Sequence, residues 1–171
     1  MRFSSLVIPA VVLIIAGCAN ETPESAGPEA EVAEVIQPVD LPQSIAECQA
    51  QRLEVGMIEF LPSDTAADEF PSYELPANAK FVGILEVDAL CLMDDGTLVV
   101  YDHQAAGSVL CKAAVSESAL LSALAVMQEF YAKNVSEDSF DEAAAIKVRD
   151  RCTEIAGGEE CRSFFVMLLG V

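Results

Sequence analysis

Six cysteines and a single histidine are the groups in this 171-residue chain with the reactivity for thiol or metal chemistry. A cysteine nucleophile needs a base beside it, and His103 is the imidazole that could activate Cys91 or Cys111. Asp102 precedes it and could orient the ring. The spacing matches no nucleophile motif, so His103 reads as a solvated turn histidine and no catalytic residue is assigned. No Cys-x-x-Cys occurs, and one histidine does not suggest a zinc ligand set, so neither a metal site nor a cofactor is expected. Asp94-Asp95-Gly96 lacks the alternating carboxylates of a calcium loop and reads as turn chemistry.

The sixth cysteine has a different setting. Arg2 supplies a positive start, Leu6 to Ala16 is an apolar run broken by Pro9, and Ile15-Ala16-Gly17 leads into Cys18. The run is too short for a membrane span, which takes ~20 apolar residues, and a plain secretory signal leaves Cys18 unexplained. This stretch resembles the lipobox of bacterial lipoproteins. The resemblance implies removal of residues 1–17 as a signal peptide and lipidation of Cys18. It also implies an extracytoplasmic domain held at a membrane by several acyl chains, enough for stable anchoring. Ala19, where an aspartate would argue for the inner membrane, makes the outer membrane the expected address. In that oxidising compartment the remaining five cysteines are expected to form disulfides. Cys152 with Cys161, bracketing a glycine-containing turn, is the first choice, at ~2–3 kcal/mol in the chain-entropy model. Cys91 with Cys111 is the second, Cys48 could replace either, and one thiol is left over.

With 28 acidic against 9 basic residues, the formal net charge is −19, so nucleic acid and anionic headgroups are poor partners. Solubility explains that charge without a site. Residues 18–42 carry Pro23, Pro28, Pro38 and Pro42, six acids and no Lys or Arg. Such a segment cannot bury enough apolar surface to offset its ordering entropy and reads as a flexible acidic tether.

Positioning of the thiols and of His103 falls to residues 43–171, a length suited to one core. Ser44-Ile45-Ala46-Glu47 has capping-box spacing and opens a short helix, and Val55 to Leu61 reads as a strand ended by Pro62. Residues 62–79 read as a long acidic loop, and loops of that length are often functional. Its aromatics Phe70 and Tyr73 are the candidate binding residues, although such rings more often pin a loop to a core. Phe81 to Met93 alternates and reads as one strand, with Phe81, Leu85, Val87, Ala89, Cys91 and Met93, and Gly83 among them, on its buried face. Asp95-Gly96 suits a two-residue turn into Thr97 to Tyr101, pairing Cys91 with Val100 and Met93 with Leu98. Val109 to Val115 is the next strand. Ser116 can cap a helix from Glu117 to Lys133. Ser139-Phe140-Asp141-Glu142 opens another, which Gly157-Gly158 stops. Phe164 to Leu169, six apolar residues in a row, reads as a strand buried on both faces.

The expectation is therefore an α+β domain, an antiparallel sheet of about four or five strands with two or three helices packed on one face. The expected role is a non-enzymatic envelope module that binds or assembles with another envelope protein. The alternatives are a thiol-redox or other small enzyme using the unpaired cysteine, and a small-ligand carrier with its pocket between helices and sheet.

Overall fold

The computed structural model describes residues 41–70, 75–134 and 140–171. Residues 1–17, read above as a signal peptide, Cys18 and most of the segment read as a tether lie outside the described residues, as do Tyr73 and Ser139. One antiparallel sheet of six strands runs in chain order: β1 (Glu54–Val55), β2 (Ile58–Phe60), β3 (Ala79–Leu85), β4 (Asp88–Met93), β5 (Leu98–Tyr101) and β6 (Val109–Ala114). Five helices accompany it: α1 (Ile45–Gln51), α2 (Ala66–Glu69), α3 (Glu117–Asn134), α4 (Glu142–Ala156) and α5 (Arg162–Leu169). The fold is α+β, with more strands than the sequence suggests.

The extra strands come from turns with weak sequence signals. Phe81 to Met93 is a hairpin, because Leu85 pairs with Asp88 and the chain reverses at Glu86-Val87. A single strand over that range would be longer than the usual ~3–10 residues. Glu86 takes φ +55°, which side chains other than glycine and asparagine adopt rarely. Its amide donates to the Met57 carbonyl at 2.9 Å, so a neighbouring turn stabilises the bend. Val55 to Leu61 likewise folds back at Gly56 (φ +60°), pairing Val55 with Ile58. The segment after β2 is partly ordered by a 3-10 turn at Ser63–Thr65 that runs into α2.

Register differs as well. Cys91 pairs with Val99 and Leu92 with Leu98, one residue away from a two-residue turn. The loop is Asp94-Asp95-Gly96: the Gly96 amide donates to the Met93 carbonyl at 2.9 Å, the Met93 amide to that of Thr97 at 2.8 Å, and Gly96 takes φ +85°. That is the three-residue hairpin whose glycine makes a bulge. A second irregularity, at Phe81/Gly83 on β3, switches which side of the sheet the alternate residues face. Gly83 lies so close to the Glu59 carbonyl that an added Cβ would overlap it.

Both faces of the sheet are consequently buried. Val82, Leu85, Leu90, Leu98, Val100, Cys111 and Ala113 share one core with α1, α3, α4 and α5. Phe81, Ala89, Cys91 and Tyr101 share a smaller core with Leu61 and Phe70 on the opposite side.

The helices start where side chains satisfy free backbone amides. The Ser44 hydroxyl accepts from the Glu47 amide at 3.2 Å, while the Glu47 carboxylate accepts from Gln43, one residue before a reciprocal box. The Ser116 hydroxyl accepts from the Ala119 amide. Asp141 caps α4 through the Ala144 amide at 3.0 Å, and Gly157 ends it.

Phe164 to Leu169 is helix, correcting the strand reading. Phe164, Phe165, Leu168 and Leu169 are buried and Val166 is 38% exposed, a helical repeat on one apolar face. A tertiary bond from the Tyr131 hydroxyl to the Leu168 carbonyl at 2.8 Å fixes the end of this short helix. No helix among the described residues is long and apolar enough to cross a membrane.

Candidate functional site

The five cysteines of the domain are free thiols, all buried. Cys91 and Cys111 face opposite sides of the sheet, Cys91 among Phe81 and Tyr101 and Cys111 beneath the helices. A disulfide needs the two β-carbons ~3.5–4.5 Å apart on converging vectors, so this pair is not one. The one-residue difference in register carries the point, because a slip of one moves every side chain to the other face. Cys152 and Cys161 have separate surroundings: the Cys152 thiol donates to Ala123 in α3 at 3.3 Å, and the Cys161 thiol to Ala156 at 3.5 Å. Cys161 sits on the 3-10 turn Glu159–Cys161, which packs against β6, the strand that carries Cys111.

Burial pushes the thiols up, Cys48 to about 11 and Cys91, Cys111 and Cys152 to about 12, because a thiolate would lose its hydration. A cysteine nucleophile requires the reverse.

The binding-loop candidates separate. Phe70 is buried and packs edge-on to Phe81 with centroids 5.9 Å apart, so it pins the segment to the smaller core. Tyr73 lies outside the described residues. A surface pocket of about 530 Å³ lies between Leu41–Gln43 and the α3 residues Ser118, Leu121, Ser122 and Ala125, away from the helix–sheet layer where a carrier pocket was expected.

The exposed polar chemistry gathers at the end of the β4–β5 ladder. Ala89 pairs with Tyr101, so Asp88 and Asp102 come next on the two strands. His103 follows, and its Nδ1 lies 2.7 Å from Asp88 Oδ1. The same oxygen accepts the His103 amide at 3.0 Å. Asp102 Oδ1 accepts the Gln104 amide at 2.7 Å, and the Gln104 side-chain amide sits 3.2 Å from His103 Nε2. The orienting carboxylate of His103 is thus Asp88, fifteen residues away, and not its neighbour Asp102. Only folding brings that partner in; the sequence signal for it was an aspartate beside an unrecognised turn.

The second exposed feature is the free end of the sheet. β6 is the last strand, and Val109 and Leu110 at its start are 51% and 45% exposed. Further along, Lys112 pairs with Glu160 at 2.9 Å and the Val115 amide donates to Ala156 at 2.8 Å, so α4 and the 3-10 turn after it cover that half. Comparison with known proteins gives no match to a family model, a curated protein or a solved structure.

Proposed function

We propose that this chain is a bacterial envelope lipoprotein, anchored through Cys18 to the outer membrane, whose folded domain binds another envelope protein. The open start of β6 carries the reading. Unpaired strand edges template the addition of another strand, and folded proteins normally cover them or place charge there. Here Val109 and Leu110 stand at such an edge, about half exposed. The lipobox-like Ile15-Ala16-Gly17-Cys18 and the acidic segment after it supply the anchor and spacer. The alternative of a thiol-redox enzyme loses support, because burial keeps its thiols protonated.

The test is photocrosslinking from Leu110 in full-length chain expressed in its native envelope, with fractionation and palmitate labelling beside it. A discrete protein adduct from position 110, absent from an exposed control such as Glu129, supports the binding role. No adduct at 110, or equal adducts at both positions, overturns it. Label retained in Cys18→Ala, or wild-type chain recovered unacylated, overturns the anchor separately.

A further inference from the structure

We infer that Asp88, Asp102 and His103 form a binding site for one divalent transition-metal ion, a proposal separate from the partner surface on β6 although Val109 there pairs with Tyr101, next to Asp102. This revises the expectation that a chain with one histidine has no metal site. Three ligand atoms, one from each residue, lie within 4.8 Å of one another. The ladder sets that closeness, since Ala89 opposite Tyr101 leaves the two aspartates facing each other on adjacent strands. Like charges directly opposite across a sheet repel. Among the described residues, no lysine or arginine bridges either carboxylate, and the ion pair found there is His103 with Asp88. A bound cation between the two carboxylates would offset that repulsion.

The ligand set selects the ion. Two carboxylates alone would suit calcium or magnesium, whereas an imidazole nitrogen beside them favours zinc and its neighbours. Zinc binds such nitrogens and oxygens at ~2.0–2.2 Å in a tetrahedral arrangement, so its ligand atoms sit about 3.4 Å from one another. From separations within 4.8 Å, side-chain rotation has to close the remaining gap. In the ion-free arrangement the His103 Nδ1–H donates to Asp88 Oδ1. Binding through Nδ1 replaces that hydrogen bond, and the single ring proton passes through solvent from Nδ1 to Nε2, so no net proton is released. The second ring nitrogen then carries the proton and donates to the Gln104 side-chain oxygen after a flip of that amide, the outer-shell contact typical of a metal-bound histidine. The amide of His103 keeps its hold on Asp88 Oδ1, which leaves Oδ2 to face the ion. Three protein ligands leave a fourth position for water.

The test is calorimetric titration of zinc into full-length, chelator-treated protein in detergent at neutral pH and physiological salt. One ion per chain is expected. Asp88→Asn and His103→Gln should each weaken binding by more than ~100-fold, since even an outer-shell partner is worth ~10–100-fold. Glu129→Gln, an exposed acid elsewhere, should leave it unchanged, and far-UV circular dichroism verifies that each variant is folded. Cobalt in place of zinc should give no thiolate charge-transfer band. Failure to bind, binding indifferent to Asp88 and His103, equal binding of calcium, or a thiolate band would each overturn the site. None of these outcomes bears on crosslinking at Leu110, so the two proposals fail separately.

Discussion

The Phe164 to Leu169 segment offers a sharp test, because a helix and a doubly buried strand assign Val166 opposite fates. In the helix, Phe165 is wholly buried and meets Phe164 edge-on with centroids 5.1 Å apart, while Val166 next to it is 38% exposed. Truncating Phe165 to alanine removes a buried ring and leaves a cavity, at ~3–5 kcal/mol. Of that, about 0.5–1.5 kcal/mol belongs to the ring pair. Val166→Glu places a carboxylate in solvent on the outer side of α5, where substitutions cost about 0.5 kcal/mol. The unfavourable sign of a negative charge near a helix C-terminus adds ~0.3–1 kcal/mol. Phe165→Ala therefore takes away a large share of the ~5–15 kcal/mol that holds a domain folded, and Val166→Glu a small one. Urea unfolding of the full-length chain, followed by far-UV circular dichroism, separates the two through their midpoints at constant slope. If Val166→Glu unfolds the protein as severely as Phe165→Ala, the segment is buried on both faces and the helix is wrong. If Phe165→Ala costs under about 1 kcal/mol, the segment is not core at all.

Further outcomes follow from the same packing. The buried thiols hold their protons to about 11–12, whereas an unfolded chain releases them near 9.0. Folding stability is therefore intact below pH ~9 and falls as pH climbs toward the folded values, at up to ~1.4 kcal/mol per pH unit for each thiol. A urea midpoint unchanged between pH 8 and 10.5 would contradict this. At neutral pH a thiol reagent should label these five cysteines slowly in the native domain and completely in guanidinium, and one fast native thiol would restore the enzyme reading. Thr153 in α4 is buried with its hydroxyl oxygen unpartnered. Thr153→Val should raise stability by ~1 kcal/mol, a loss of stability being the contrary result. Asp141→Ala should cost about 1 kcal/mol through the lost cap on α4, and Ser139→Ala almost nothing; the reverse order in thermal melts would make Ser139 the cap.

The sequence by itself determined what local chemistry determines: the helices opened by Ser44 and Ser116, the stop at Gly157-Gly158, the strands over Leu98 to Tyr101 and Val109 to Ala114, and the α+β class. Each rests on a cap, a turn residue or a hydrophobic period whose cause lies within a few residues. It also put the start of α4 near the right place, although the cap is Asp141. Tertiary structure decided the rest. Glu86 can bend backward because Met57 holds its amide. The loop of three at Asp94-Asp95-Gly96 sets the β4–β5 register and so parts Cys91 from Cys111, while the bulge at Gly83 sets which side the residues of β3 meet. The run Phe164 to Leu169 has no period of its own, and its docking onto α3 and α4 makes it helical. Asp88 reaches His103 only through a ladder whose register those turns fix. A shift of one residue costs little locally, yet it reverses every facing side chain. The composition of the core was therefore legible in the sequence, and its pairing was not.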